Sequence, residues 1–223
     1  MPALTPTLTR PLAALALLAI GFVVYTSLVA AGAAGPFDLE VARLFARAWT
    51  PAAAPVVQGI AVLGGIEVTT VLAVGLAVAL WRRGFRSEVA ALLAFPLVEI
   101  LELVEKGVVH QPPPRAFFHP DGPSVVTMLH GGTLTLGGSY PSGHMMRTLL
   151  VYGLGAFVVV RLSASGRVRR AVVVSAGFLI GLMALDRLYL GVHWQSDVLG
   201  GLLLGGAALA GAIAWLDRPR AAG

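Results

Sequence analysis

Six apolar runs, at about 11–33, 62–81, 87–106, 144–161, 169–189 and 197–215, dominate the chain. Each approaches the roughly 20 residues a helix needs to cross the hydrocarbon core of a bilayer. Backbone groups in hydrocarbon must bond within their own segment, and a long apolar run does this as a helix. The chain therefore reads as all-α, a polytopic membrane bundle of about six helices. It forms one domain over 1–223, with no internal linker or repeat. Composition agrees: 57% of residues are hydrophobic and 12% charged, about half the charge of an ordinary soluble domain. The first run admits a second reading, a signal peptide with small residues for cleavage at Ala30–Ala34. Its apolar stretch exceeds the usual span of about 7–15 residues in such segments, so retention as a helix is the expectation.

The formal charge of +5 does not point to nucleic acid, because the basic residues flank apolar runs instead of forming one patch. With six spans, Arg10, Arg82, Arg83, Arg86, Arg161, Arg167, Arg169, Arg170, Arg218 and Arg220 fall on one side, ten of the 16 Lys and Arg. The positive-inside rule makes that side cytoplasmic and the multi-pass protein a resident of the plasma membrane. The segment 34–61, the long loop 107–143 and the turn near Gly191 face the other way. Within the first of these, Leu39, Leu44 and Phe45 alternate with Glu40, Arg43 and Arg47. The pattern fits an amphipathic helix in the interface, or an ordinary solvated one. The chain has no cysteine, which excludes disulfides and thiolate chemistry.

Polar chemistry concentrates on the extracytoplasmic side, in three clusters. His193 and Asp197 stand i, i+4 where the last run begins, so a helix would put them on one face. A carboxylate there can hold one imidazole nitrogen and leave the other free to attack. Arg187, six residues earlier across Gly191, could grip a phosphate with two parallel hydrogen bonds. The bland alternative is three membrane-surface residues with no joint role. In Tyr140-Pro-Ser-Gly-His144, Pro141 and Gly143 make a turn and Ser142 can cap the fourth span, whose first amides would bind an anion. His144 at that point could give a proton to a leaving oxygen. Lys106, the only lysine, ends the third run; such a residue often does no more than snorkel to the headgroups.

These clusters, in this order and on one side, resemble the three-part signature of the type 2 phosphatidic-acid-phosphatase superfamily: Lys-x6-Arg-Pro, Pro-Ser-Gly-His and Ser-Arg-x5-His-x3-Asp. The resemblance covers roughly 62–208, six-span layout included. It implies a membrane lipid phosphatase working without metal or other cofactor through a phosphohistidine. By matching positions, His193 would be the nucleophile, Asp197 its orienter and His144 the general acid. Lys106, Arg187, Ser142 and Gly143 would hold the phosphate oxygens.

Two departures bear on the site. Asp186 stands where the family has Ser, and Pro113 stands where the first motif has Arg, with Arg115 two residues late. Either the proline run delivers Arg115 to the phosphate, or another cation serves. Arg147 is the other candidate. It lies i+3 from His144, on the same inward face, and an arginine at the membrane centre costs roughly 2.5–3.5 kcal/mol unless it has a partner. That partner is phosphate, or else Glu99 or Glu102. The expectation is that Arg147 reaches the phosphate pocket. Glu99, Glu102 and Glu105 read as supporting partners of Lys106 and Arg147, since a carboxylate beside phosphate would repel it.

His110, His119 and His130 fit no zinc spacing. The 107–143 loop is long enough to be a lid, and Phe117, Phe118, Met128 and Leu129 could meet a lipid chain. The substrate class expected is a lipid phosphate, with an isoprenyl pyrophosphate ahead of phosphatidate and phosphatidylglycerol phosphate. The alternatives are a phosphotransferase with the same phosphohistidine, or a non-catalytic lipid-phosphate binder. Membrane lipid is the only other partner expected; the sequence does not fix the oligomeric state.

Overall fold

A computed structural model describes residues 9–125 and 138–218. Met128, Leu129 and His130 lie outside them. The described residues form eight α-helices and three short 3-10 turns: α1 (Thr9–Ala30), α2 (Gly35–Ala48), α3 (Ala54–Gly64), α4 (Ile66–Arg82), α5 (Ala94–Val108), α6 (Gly143–Leu162), α7 (Gly166–Tyr189) and α8 (Gln195–Leu216). The all-α expectation holds.

Length and apolarity pick out α1, α6, α7 and α8 as able to cross a membrane, at 20 to 24 residues each. The bent pair Pro51–Gly64 and Ile66–Arg82, which meets at 41°, would make a fifth. The expected third run, 87–106, is instead a 3-10 turn (Val89–Leu93) followed by the 15-residue α5. The α-helix begins only at Ala94, with Pro96 in its first turn, and Glu99, Glu102, Glu105 and Lys106 all fall inside it. The second run is likewise broken, at Gly65, where an extended backbone leaves α3 and starts α4.

The two most enclosed helices, α6 and α8, form the centre, with α7 against α6 and α1 along α8. Apolar side chains fill the contacts: Met145, Met183 and Val198 near the site, and Leu80, Leu154, Val158, Ala212 and Leu216 toward the other end. The α6–α8 approach is backbone-close. A Cβ added at Gly201 would lie 2.7 Å from the Ser142 carbonyl oxygen. Outward-facing residues such as Leu17, Val23, Val74, Val174 and Phe178 stay apolar and exposed, as lipid contact requires.

The C-terminal ends of α5 and α7 and the N-terminal ends of α6 and α8 meet at one end of the bundle. The basic segments sit at the other, where Arg161 pairs with Asp217 and the Trp215 indole donates to the Ser87 carbonyl at 2.9 Å. The amphipathic pattern at 37–49 is α2, packed on α7 and α8.

Candidate active site

The first turn of α8 builds the centre of the site. Asp197, its third residue, turns its carboxylate back so that Oδ2 accepts the Trp194 N–H at 2.9 Å. This satisfies one of the amides a helix start leaves free. The same oxygen lies 3.1 Å from Nδ1 of His193. Asp197 is fully buried and the His193 side chain 12% exposed. The expected contact is present, although His193 lies in the turn before α8 and not on the helix, and Nε2 is the ring nitrogen that Asp197 does not engage.

The start of α6 is bonded directly to α8: the Ser142 N–H donates to the Asp197 carbonyl at 2.9 Å. Ser142 is the residue before the first helical turn, but its hydroxyl caps no amide. Its Oγ is buried without a hydrogen-bond partner. A buried hydroxyl left unpaired is costly and marks a place where an acceptor oxygen would fit. His144 lies in that first turn, and its electrostatic neighbours are Arg187, Arg147, His193 and Lys106. Four of the sequence candidates thus converge on the fifth.

Two cations come from α5 and α6, bridged by one carboxylate. Glu102 Oε1 lies 2.7 Å from Lys106 Nζ, and Glu102 Oε2 is 3.0 Å from Nη1 of Arg147. Arg147 also reaches Glu99 Oε2 at 3.0 Å and donates from Nε to the Gly64 carbonyl at 3.3 Å. The Glu102 carboxylate presses on the first residue of α6: a Cβ at Gly143 would lie 2.2 and 2.3 Å from its two oxygens. An anion of the protein itself therefore sits at the helix start where the sequence expected phosphate. Arg115 opens a 3-10 turn and is exposed. Arg147 is the arginine tied to Lys106, through Glu102.

Arg187 is fully buried. Its Nε donates to Asp186 Oδ2 at 2.8 Å, and Nη2 pairs with the same oxygen. This gives the Asp186 departure a physical role, as the anchor that sets the plane of the guanidinium. The outer fork meets Asp121, with Nη1 to Oδ2 at 2.8 Å and Nη2 to Oδ1 at 2.9 Å. Burial would raise the Asp121 carboxyl, but the Arg187 guanidinium outweighs it and holds the carboxyl below its ordinary value. Asp121 was not among the expected residues. It lies 66 positions from Arg187 in a loop with no periodicity, so spacing could not link them.

The strap carrying Asp121 is seated by backbone contacts. The His119 N–H donates to the Leu190 carbonyl at 2.8 Å, and Gln58 Nε2 donates to the Pro120 carbonyl at 3.1 Å. His119 stacks on Trp49 at 3.5 Å, while His110 Nδ1 lies 3.0 Å from the Val108 carbonyl. Phe117 packs at Gly191, whose φ of +60° makes the turn between α7 and α8.

Comparison with known proteins gives the family and the fold. The family profile described as the PAP2 superfamily matches residues 87–221, more than half the chain. Phosphatidylglycerophosphatase B of Bacillus subtilis (strain 168) is 41% identical over 68 residues, which make up 30% of this chain and about a third (34%) of that relative. The crystal structure of the first transmembrane PAP2 type phosphatidylglycerolphosphate phosphatase from Bacillus subtilis superposes with a TM-score of 0.75 at 25% identity, covering 89% of this chain and 94% of that one. With the helix ends and the three motif segments gathered at one end of the bundle, the chain belongs to the PAP2 superfamily and shares the fold of its transmembrane phosphatases.

Proposed function

We propose that the protein is a lipid phosphatase that works through a phosphohistidine on His193. The carrying observation is the His193 Nδ1–Asp197 Oδ2 contact of 3.1 Å, with Asp197 fixed by the Trp194 amide. An imidazole held at Nδ1 presents Nε2 as nucleophile, and the buried carboxylate stabilises the ring as it gains charge. Nε2 attacks phosphorus; the P–O bond to the lipid breaks, and His144 protonates the leaving oxygen. Water then attacks the phosphohistidine with His144 as base, releasing inorganic phosphate and free His193. Lys106, Arg187, Arg147, the Ser142 hydroxyl and the Gly143 amide stabilise charge on the phosphoryl oxygens. For this, Glu102 and Asp121 yield the cations they hold.

The names of the relatives support phosphatidylglycerol phosphate as the first substrate to test, ahead of an isoprenyl pyrophosphate. The arginines at the opposite end of the bundle support an extracytoplasmic site in the plasma membrane.

The test is phosphate release by purified protein from phosphatidylglycerol phosphate, phosphatidate and an isoprenyl pyrophosphate, with EDTA present. Turnover should persist in EDTA and vanish in His193→Ala. Asp197→Asn should lower it by about 10²–10⁴, the scale for disabling a histidine's orienting carboxylate. Loss of activity in EDTA with recovery on adding Mg²⁺ would overturn the mechanism.

A further inference from the structure

Asp38 is the one buried residue of α2, a helix otherwise exposed or half-buried, and its carboxylate is spent far along the chain. Its Oδ1 accepts the Ser196 N–H at 2.8 Å, and its Oδ2 accepts the Ser196 hydroxyl at 2.6 Å. The Gln111 amide completes the knot, donating to Ser196 Oγ at 2.8 Å and facing Asp38 Oδ2 at 3.4 Å. Gln111 in turn accepts from the Ser139 N–H at 2.8 Å through its backbone carbonyl. One buried carboxylate therefore ties together the segment after Lys106, the segment before Ser142 and the start of α8.

Its place on α8 gives it a consequence for the chemistry. A helix start leaves free amides that need acceptors, and two carboxylates divide those available here. Asp197 takes Trp194, and Asp38 takes Ser196, the residue next to Asp197. Ser196 and Asp197 are fully buried, so in the folded protein these amides are served by carboxylates and not by bulk solvent. Without Asp38, the Ser196 amide is orphaned and the adjoining carboxylate is Asp197, whose Oδ1 is buried and unpartnered. An Asp197 turned toward that amide carries Oδ2 away from His193.

We infer that Asp38 is a positioning residue for the nucleophile: by satisfying the first turn of α8 it leaves Asp197 free to hold His193. The inference rests on the reading of His193 as nucleophile and Asp197 as its orienter. Asp38 touches neither substrate nor reacting atoms. Its effect should fall on kcat, since it sets the aim of Nε2 and contributes nothing to lipid binding.

The test is steady-state release of radiolabelled phosphate from phosphatidylglycerol phosphate in detergent micelles by the full chain, in wild-type and Asp197→Asn backgrounds. Asp38→Ala should lower kcat by about 10²-fold, the scale for a misplaced catalytic group, with KM changed less than about twofold. Asp38→Asn keeps one oxygen for the Ser196 amide and should lower kcat about fivefold, the worth of one ordinary hydrogen bond. In the Asp197→Asn background either change should cost less than about twofold, because the residue it acts through is already disabled. Unchanged kcat in Asp38→Ala, or the same fold-loss in both backgrounds, overturns the inference and makes Asp38 a docking contact for α2. If thermal unfolding shows that Asp38→Ala does not fold, the Asp38→Asn cycle decides by the same criteria. Wild-type turnover in Asp197→Asn would instead overturn the phosphohistidine reading, and this inference with it. Additive losses with both single variants impaired overturn this inference alone.

Discussion

Asp121 meets Arg187 in a two-point grip, each carboxylate oxygen accepting from a different η nitrogen, at 2.8 and 2.9 Å. A phosphoryl group would use the same fork, so substrate phosphate competes with a carboxylate for it. Hydrogen bonds to charged groups contribute about 1.5–3 kcal/mol. Replacing Asp121 by Asn should therefore tighten competitive inhibition by inorganic phosphate about tenfold or more, the ratio for roughly 1.4 kcal/mol. Inhibition constants for phosphate in the two proteins check this; equal constants would show that Asp121 does not stand in the phosphate's place.

The same pair makes a prediction about pH. The Asp121 carboxyl is held below its ordinary value, chiefly by Arg187 acting against burial. Its stabilising contact is thus complete above the unfolded carboxyl value of about 3.9 and is lost only as pH falls through the depressed folded value. Across pH 5 to 8 Asp121 stays ionised. Asp121 itself should then contribute no ionisation to kcat/KM against pH over about 5–8, in wild type as in Asp121→Asn. A limb present in one profile and absent from the other would contradict this.

Arg147 holds Glu99 and Glu102 together in the interior. Removing one partner of a buried ion pair costs about 3–5 kcal/mol, so Arg147→Ala should lower thermal stability in detergent and lose most turnover. Arg147→Lys should fare little better, because an ammonium cannot serve Nε and Nη1 partners at once. Arg115→Ala, at an exposed turn, should change stability by no more than about 0.5 kcal/mol and turnover by less than twofold. Wild-type turnover in Arg147→Ala beside an inactive Arg115→Ala would instead make Arg115 the phosphate ligand.

Gly143 leaves no room for a side chain, with the Glu102 oxygens 2.2 and 2.3 Å from where a Cβ would be. Glu102 cannot swing aside cheaply, since Lys106 and Arg147 hold its two oxygens. Gly143→Ala should displace both cations and lower kcat/KM by at least about tenfold, the effect of roughly 1.4 kcal/mol. Steady-state kinetics on folded protein measure it. Shortening the carboxylate in a Gly143→Ala, Glu102→Asp double variant should restore part of the loss.

The side of the membrane can be read with single cysteines, since the chain has none. His110 and Phe118 are exposed at the site end, and Ser165 at the basic end. An impermeant thiol reagent on intact cells should label His110→Cys and Phe118→Cys, and Ser165→Cys only after lysis. The reverse pattern would place the site in the cytoplasm.

Most of the fold was legible because the bilayer allows so few backbone solutions. Apolar length alone located α1, α6, α7 and α8. It misled at 87–106, where the apolar stretch Val89–Leu93 forms a 3-10 turn and the α-helix begins only at Ala94. The His193–Asp197 contact was readable because it is local, four residues apart at the start of α8. Arg147 was readable as needing a partner, and its carboxylate partners stood among the alternatives. Asp38 and Asp121 were not readable. Each acts on a residue more than 60 positions away, and neither the amphipathic stretch around Asp38 nor the loop around Asp121 names a distant partner, so only the folded chain brings it into view.

The hydrogen bond from the Ser142 amide to the Asp197 carbonyl also decides what can move. It joins the residue before α6 to the first turn of α8, backbone to backbone, so the segments that carry His144 and His193 resist moving apart. A headgroup that takes Lys106, Arg147 or Arg187 must instead displace the two carboxylates outside this link: Glu102 on α5 and Asp121 on its strap.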